Sequence, residues 1–211
     1  MDRNKLNQCL ITFIVAGMSI LLMCHALWGK NGAAYEHDVK AAIVFKLLQF
    51  IEWPSDVSAD TEKRTITIGV LGTDAYNSIN KIFKGKVVDG KKIEIHRLAK
   101  ENILKKKAYD DGEKMQVGTL RDYAVVLICP EEGIDFAQLR PLLKGRGTLT
   151  IGEEKGFLEK GGMINFVMEN EKVKFEINNC AAEEAGFHIR SSVLRMAKRV
   201  ITKRVIKEKE E

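Results

Sequence analysis

Two period-two runs joined by a short polar break constrain this chain more than any other feature. In Met163–Met168, Ile164, Phe166 and Met168 fall on one face, and Met163, Asn165 and Val167 on the other. In the second run Val173, Phe175 and Ile177 alternate with Lys174, Glu176 and Asn178. Alternation of this kind is the periodicity of a β-strand, where successive side chains point to opposite faces. Glu169-Asn170-Glu171 between the runs is turn-like, so the segment reads as a hairpin with its second strand half buried. Gly161-Gly162, just ahead, removes two side chains and permits a positive φ or a close backbone approach.

Upstream, helical and extended patterns alternate. A first helix is predicted from an Asp38 cap, with Val39, Ala42, Ile43, Lys46, Leu47, Phe50 and Ile51 at 3.6-residue spacing and Lys46 as the polar interruption. Trp53-Pro54 would end it, because the residue before proline is pushed out of the α region. Ser55–Arg64 is a polar connection. Thr65–Leu71 reads as a buried strand turning through Gly72 into a helix that reaches Phe83, with Thr73 or Asp74 as its cap. Gly69-x-x-Gly72 lacks the third glycine of a dinucleotide fingerprint, and Asp74 would repel a phosphate there.

Past a glycine-rich turn around Gly85–Gly90, Ile93 and Ile95 mark another strand. The charged stretch Ala99–Gln116 is predicted as a helix with a loop. Tyr123–Cys129 is a strand, Ile134–Leu143 a short helix interrupted by Pro141, Thr148–Ile151 a strand and Lys155–Glu159 a helical turn. Ser191–Ile206 is predicted as an amphipathic helix whose wet face is crowded with Arg190, Arg195, Lys198 and Arg199. The alternation argues for a single-domain α/β fold. Its mixed β-sheet has a mainly parallel core and a C-terminal antiparallel hairpin, with helices on both faces.

The first residues carry an address. Arg3 and Lys5 precede an apolar stretch from Cys9 to Trp28, followed by small residues ending Gly32-Ala33-Ala34. That order is expected of a secretory signal peptide at 1–34, cleaved after Ala34 or else Ala26, with an uncleaved membrane anchor as the rival reading. A domain over 35–207 and a charged tail at 208–211 complete the organisation, with no membrane span left after cleavage. At 211 residues, 45% of them apolar and 30% charged, the composition is that of a globular protein. The net charge is only +5, and Arg3, Lys5 and Lys30 of the leader contribute to it, which argues against nucleic acid as a partner. With the leader removed, Cys129 and Cys180 remain in an oxidising compartment. Each closes a predicted strand, so they either pair at one edge of the sheet or stay as two thiols.

No nucleophile elbow occurs, and His37, His96 and His188 stand in no metal-ligand spacing. The paired Glu153-Glu154 reads more readily as solvated charge than as acid–base machinery. The expectation is a protein that is not an enzyme, with no catalytic residue, metal or cofactor. As partner contacts the sequence offers Glu153, Gly161, Gly162, Asn165, Glu176 and Asn178 around the hairpin, and Arg190 and Arg195 on the basic helix. Asn165 and Asn178 have the alternative of satisfying backbone groups inside the fold.

Several motifs resemble one family, the YfiR/HmsC-like proteins. They are Phe50-Ile51-Glu52-Trp53-Pro54, Thr67–Gly72, Leu149–Glu153, Gly156-Phe157-Leu158 and Gly161–Val167, then Phe175–Asn178, Ala181-Ala182, Ala185-Gly186 and Ile189–Ala197. The resemblance spans roughly Tyr35 to Val200. It implies a mixed sheet flanked by helices and a dimeric periplasmic regulator. Such a regulator represses an inner-membrane diguanylate cyclase through its periplasmic region, lowering cyclic-di-GMP and restraining exopolysaccharide and biofilm. Members carry up to two disulfides, whereas this chain after its leader has cysteines for at most one. A periplasmic small-molecule sensor feeding a histidine kinase or transporter is the alternative, favoured if an apolar pocket lies between the first helix and the hairpin. A hydrolase ranks third.

Overall fold

A computed structural model describes residues 35–54, 65–100, 103, 120–129, 133–143 and 147–202. The leader, the polar connection at 55–64, nearly all of the charged stretch at 99–116 and the tail beyond 202 lie outside them. The described elements are numbered in chain order.

The first helix, α1, covers residues 35–48. Asp38 lies inside it rather than capping it, its carboxylate 2.6 Å from Nζ of Lys81. Its buried positions are Lys40, Ala41, Val44, Leu47 and Leu48, while Ala42, Lys46 and Phe50 are exposed. The apolar stripe is therefore turned from the expected one, and Lys40 is a buried member of it. The helix also stops before Trp53-Pro54, because Ile51–Glu52 is taken as a strand, β1, by antiparallel pairing with β9 (His188–Ile189).

The remaining elements are β2 (Thr65–Leu71), α2 (Thr73–Phe83), β3 (Val87–Val88), β4 (Lys91–Leu98), β5 (Val125–Ile128) and α3 (Phe136–Leu143). After them come β6 (Leu149–Gly152), β7 (Ile164–Glu169), β8 (Lys172–Asn178), α4 (Asn179–Glu184), β9, α5 (Ser191–Met196) and β10 (Arg199–Ile201). The main sheet runs β10-β8-β7-β6-β5-β2-β4-β3. β2, β4, β5, β6 and β7 pair in parallel, and β3/β4 and β7/β8 are antiparallel. The α/β class, the mixed sheet and its parallel core are as the sequence implies. The cap of α2 is not, since Gly72 takes that position with φ 123° and no side chain caps the helix.

The central strands of the sheet are buried on both faces. Ile66, Ile68 and Val70 of β2, with Val125 and Leu127 of β5, face α1 and α2. Val126 and Ile128 face the opposite layer, formed by Phe136, Leu139 and Leu143 of α3 together with Phe157 and Leu158. Strands covered on both sides read as near-continuous apolar runs, which is why β5 shows little alternation. Pro141 sits inside α3 on its exposed side, where the carbonyl it leaves without an amide partner faces water. The hairpin turn places Asn170 and Glu171 at φ 49° and 59°, the two consecutive positive values of a type I′ turn.

The carboxyl end differs from the expected long helix. α5 ends at Met196, and the chain returns as β10, parallel to β8 with Arg199 opposite Glu176. The open edge of β8 offers ladder hydrogen bonds and a place beside Ile177 in the sheet, and Val200-Ile201 suits a strand as well as a helix. Cys129 and Cys180 are not joined by a disulfide. Cys129 follows β5 and Cys180 lies in α4 just past β8. With β6 and β7 between, those strands stand about 14 Å apart at normal spacing. A disulfide needs Cα atoms within about 7 Å.

Candidate functional site

β6 ends at Gly152, but β7 continues to Glu169. The two strands pair only at Ile151↔Ile164 and Gly152↔Asn165. Beyond that fork lies a cleft of about 600 Å³. It opens at the carboxyl ends of the parallel strands, the usual position for ligand sites in open α/β sheets.

One row of the ladder floors the cleft. Gly152 stands opposite Asn165, Asn165 opposite Glu176 and Glu176 opposite Arg199, across four adjacent strands. Asn165 is 4% exposed, and its Oδ1 is buried with no hydrogen-bond donor. Arg199 donates to Glu176 at 2.9 Å and to Glu159 at 2.5 Å. The hydrogen bond from Arg199 holds the Glu159 carboxyl below its ordinary range, and the two carboxylates together raise the guanidinium.

Lys40 closes the opposite side. Its Nζ donates to Glu153 and pairs with Glu36, both at 2.5 Å. Burial alone would lower the ammonium, but the hydrogen bonds to these carboxylates outweigh it and raise the group above its ordinary value. Glu154, also on the lining, accepts from the Phe136 amide at 3.2 Å and binds Lys160, which reaches Asp135 at 2.9 Å. It thereby ties the loop after β6 to the start of α3.

Of the residues singled out in the sequence, Glu153, Asn165 and Glu176 converge on the cleft. Gly161 and Gly162 do not line it. Gly161 has φ 95° beneath Arg140, and Gly162 lies beneath the Phe157 ring. Asn178 accepts from the Ala181 amide at 2.9 Å and donates to the Leu158 carbonyl at 2.9 Å, so it caps α4 and anchors the preceding turn. Arg190 faces Glu52 at 3.6 Å, and Arg195 is exposed on α5; neither lines the cleft. The sequence analysis missed Lys40 and Arg199 as members of the site. The signal for Lys40 was a lone cation inside the apolar run Val39–Val44.

The fold and this fork define a single-domain α/β protein with a binding cleft built around a terminal hairpin. A family model described as YfiR/HmsC-like matches residues 37–198. The chain belongs to the YfiR/HmsC-like family. That family is one of periplasmic regulators, and membership supports a regulatory role for the chain. No curated protein matches. Among solved structures, the ABC domain in complex with L-Trp from Streptococcus pneumonia is similar with TM-score 0.43 and 16% identity. That match covers 64% of this chain and 55% of the other. A conserved domain protein from Vibrio cholerae O1 biovar El Tor is similar with TM-score 0.43 and 14% identity, covering 70% and 60%. The chain thus spans little more than half the length of either structure. Among the described residues no helix is long and apolar enough to cross a membrane.

Proposed function

We propose that this protein is exported to the periplasm. There, as a homodimer, it binds the periplasmic region of an inner-membrane signalling enzyme, a diguanylate cyclase in first place. Membership of the YfiR/HmsC-like family over residues 37–198 carries the reading. Repression works by population shift: the regulator binds the inactive state of the enzyme more tightly than the active one, lowering cyclic-di-GMP and with it exopolysaccharide output. A ligand with equal affinity for both states would shift nothing. The contacts we assign to the partner are Glu153, Asn165 and Glu176 at the cleft, with Arg190 and Arg195 as a separate basic patch.

The test is in-cell crosslinking of the tagged protein in its own host, followed by mass spectrometry of solubilised envelopes. Recovery of a membrane protein with a diguanylate cyclase domain supports the reading. Recovery of the protein alone overturns it. Glu176→Ala should keep cooperative unfolding while weakening capture.

A second reading has the position of the cleft between α1 and the hairpin in its favour, although the lining is largely charged, with only Phe166, Val167 and Met168 apolar. There the protein is a small-molecule sensor that reports to a histidine kinase or transporter. Capture of such a protein, together with a ligand-induced thermal shift, would move the assignment to it.

A further inference from the structure

Consecutive residues of a strand point to opposite faces of the sheet. Yet Phe166, Val167 and Met168 all line the cleft. These three residues face alternate sides, and β6 pairs with β7 only as far as Asn165, so what they share is the unpaired backbone edge of β7. The cleft therefore abuts the edge of β7 in the plane of the sheet, where the line of β6 would run had it not ended at Gly152. Ion pairs flank it, Lys40 with Glu153 on the α1 side and Arg199 with Glu176 on the other.

We propose that this slot receives an extended peptide segment of the protein partner, which adds to the edge of β7 alongside Phe166–Glu169 and is held at its inner end by the Asn165 amide. The inference rests on the reading of the chain as a protein-binding regulator. The free edge is about 13 Å long at the usual rise of a strand, room for roughly four residues. Main-chain hydrogen bonds along such an edge supply affinity, and alternate side-chain pockets supply selectivity.

Asn165 identifies the chemistry of the inner end. A buried amide oxygen without a donor is costly and calls for a partner. A peptide group offers a donor and an acceptor side by side, so it satisfies the side-chain amide whichever way the amide is turned. The charges around it are already matched: Lys40 has Glu153 and Glu36, and Arg199 has Glu176 and Glu159. A formal charge at the inner end would face like charges from one clamp or the other. The segment that fits is therefore uncharged there, with polar residues where its side chains meet the two clamps.

The full chain is immobilised in detergent and screened against a phage-displayed library of random short linear peptides. Enriched peptides are resynthesised with and without N-methylation along one edge. The slot predicts that N-methylation on the edge facing β7 weakens binding at least about tenfold. It also predicts that Asn165→Leu weakens binding by a similar factor while leaving thermal stability unchanged or higher. Amide resonances of Phe166–Glu169 and the Asn165 side chain should shift with the unmethylated peptide. Failure to enrich peptides, equal binding of N-methylated analogues, shifts confined to another surface, or an unmoved Asn165 amide each overturn the proposal, the last leaving that group to bound water. A cyclase captured from envelopes equally by wild type and Asn165→Leu would sink the slot but keep the regulator. Slot-bound peptides with no captured envelope protein would do the reverse.

Discussion

Gly162→Ala separates a packing role from a contact role at a glycine that the sequence marks as a candidate partner contact. A Cβ at 162 would fall well inside the van der Waals envelope of the Phe157 ring, and the same ring covers Gly152. Phe157 is fully buried and packs against Phe136 with centroids 4.4 Å apart, so it has nowhere to retreat. If the ring stays, the backbone must shift, at about 1–3 kcal/mol. If the ring is expelled, most of the burial of a phenylalanine is lost, about 3–5 kcal/mol. The expected loss is therefore about 2–4 kcal/mol, which for a domain of this size lowers Tm by about 4–16 °C. Urea titration followed by circular dichroism measures it, with calorimetry as the check. Phe157→Leu in the Gly162→Ala background should recover part of the loss, giving a coupling of at least about 1 kcal/mol. A Gly162→Ala protein within about 0.5 kcal/mol of wild type, or strictly additive behaviour with Phe157→Leu, would refute the packing account.

Lys40→Met should cost about 2–3 kcal/mol by stranding Glu153 and Glu36, and a double-mutant cycle with Glu153→Gln should show coupling above about 1 kcal/mol; additive values would mean the pair is not formed in solution. Asn178→Ala removes both the cap of α4 and the bond to Leu158, and urea midpoints should report a loss of about 1–2 kcal/mol. Glu171→Gly relieves a positive φ in the hairpin turn and should raise stability by about 0.5–1 kcal/mol, a gain read as a higher urea midpoint. The Glu159 carboxyl is held below its ordinary 4.5 by Arg199, so its contribution is present above that value and is lost as pH falls through the lowered one. The stability gap between wild type and Arg199→Met should therefore narrow as the pH falls below about 4.5, and a gap that widens there would contradict the assignment.

Much of the fold was legible because it is written locally. β2, β6, β7 and β8 carry period-two patterns, and β5 carries an apolar run that suits a strand covered on both faces. What was misread depends on partners remote in sequence. The face of α1 was misjudged because Lys40 counts as polar until Glu153, 113 residues away, meets it. β10 was read as helix because Val200 and Ile201 fit a helical stripe as well as a strand, and only the edge of β8 decides between them. β1, β3 and β9 have two residues each, too few to show any period. In the cleft, Asn165 stood out as a polar residue within an apolar strand, and Glu176 lay on the polar face of the hairpin's second strand. Arg199 did not, since one arginine among many basic residues gives no hint of which will meet two carboxylates.

The pairing of β1 with β9 bears on how the chain reaches this structure. Ile51 docks against Ile189, and the Phe50 carbonyl accepts from the Arg190 amide, so the start of the domain is stitched to its end. Neither α1 nor the hairpin layer is complete until nearly the whole domain is available. Contacts this remote must repay the entropy of closing a very long loop, which places the protein among slow folders of high contact order. Until that closure Ala41, Val44 and Leu48 of α1 can pack only against the strands already made, and the half-made sheet exposes an apolar face. Such an intermediate is prone to aggregation, so the yield of folded protein should fall steeply as the refolding concentration rises.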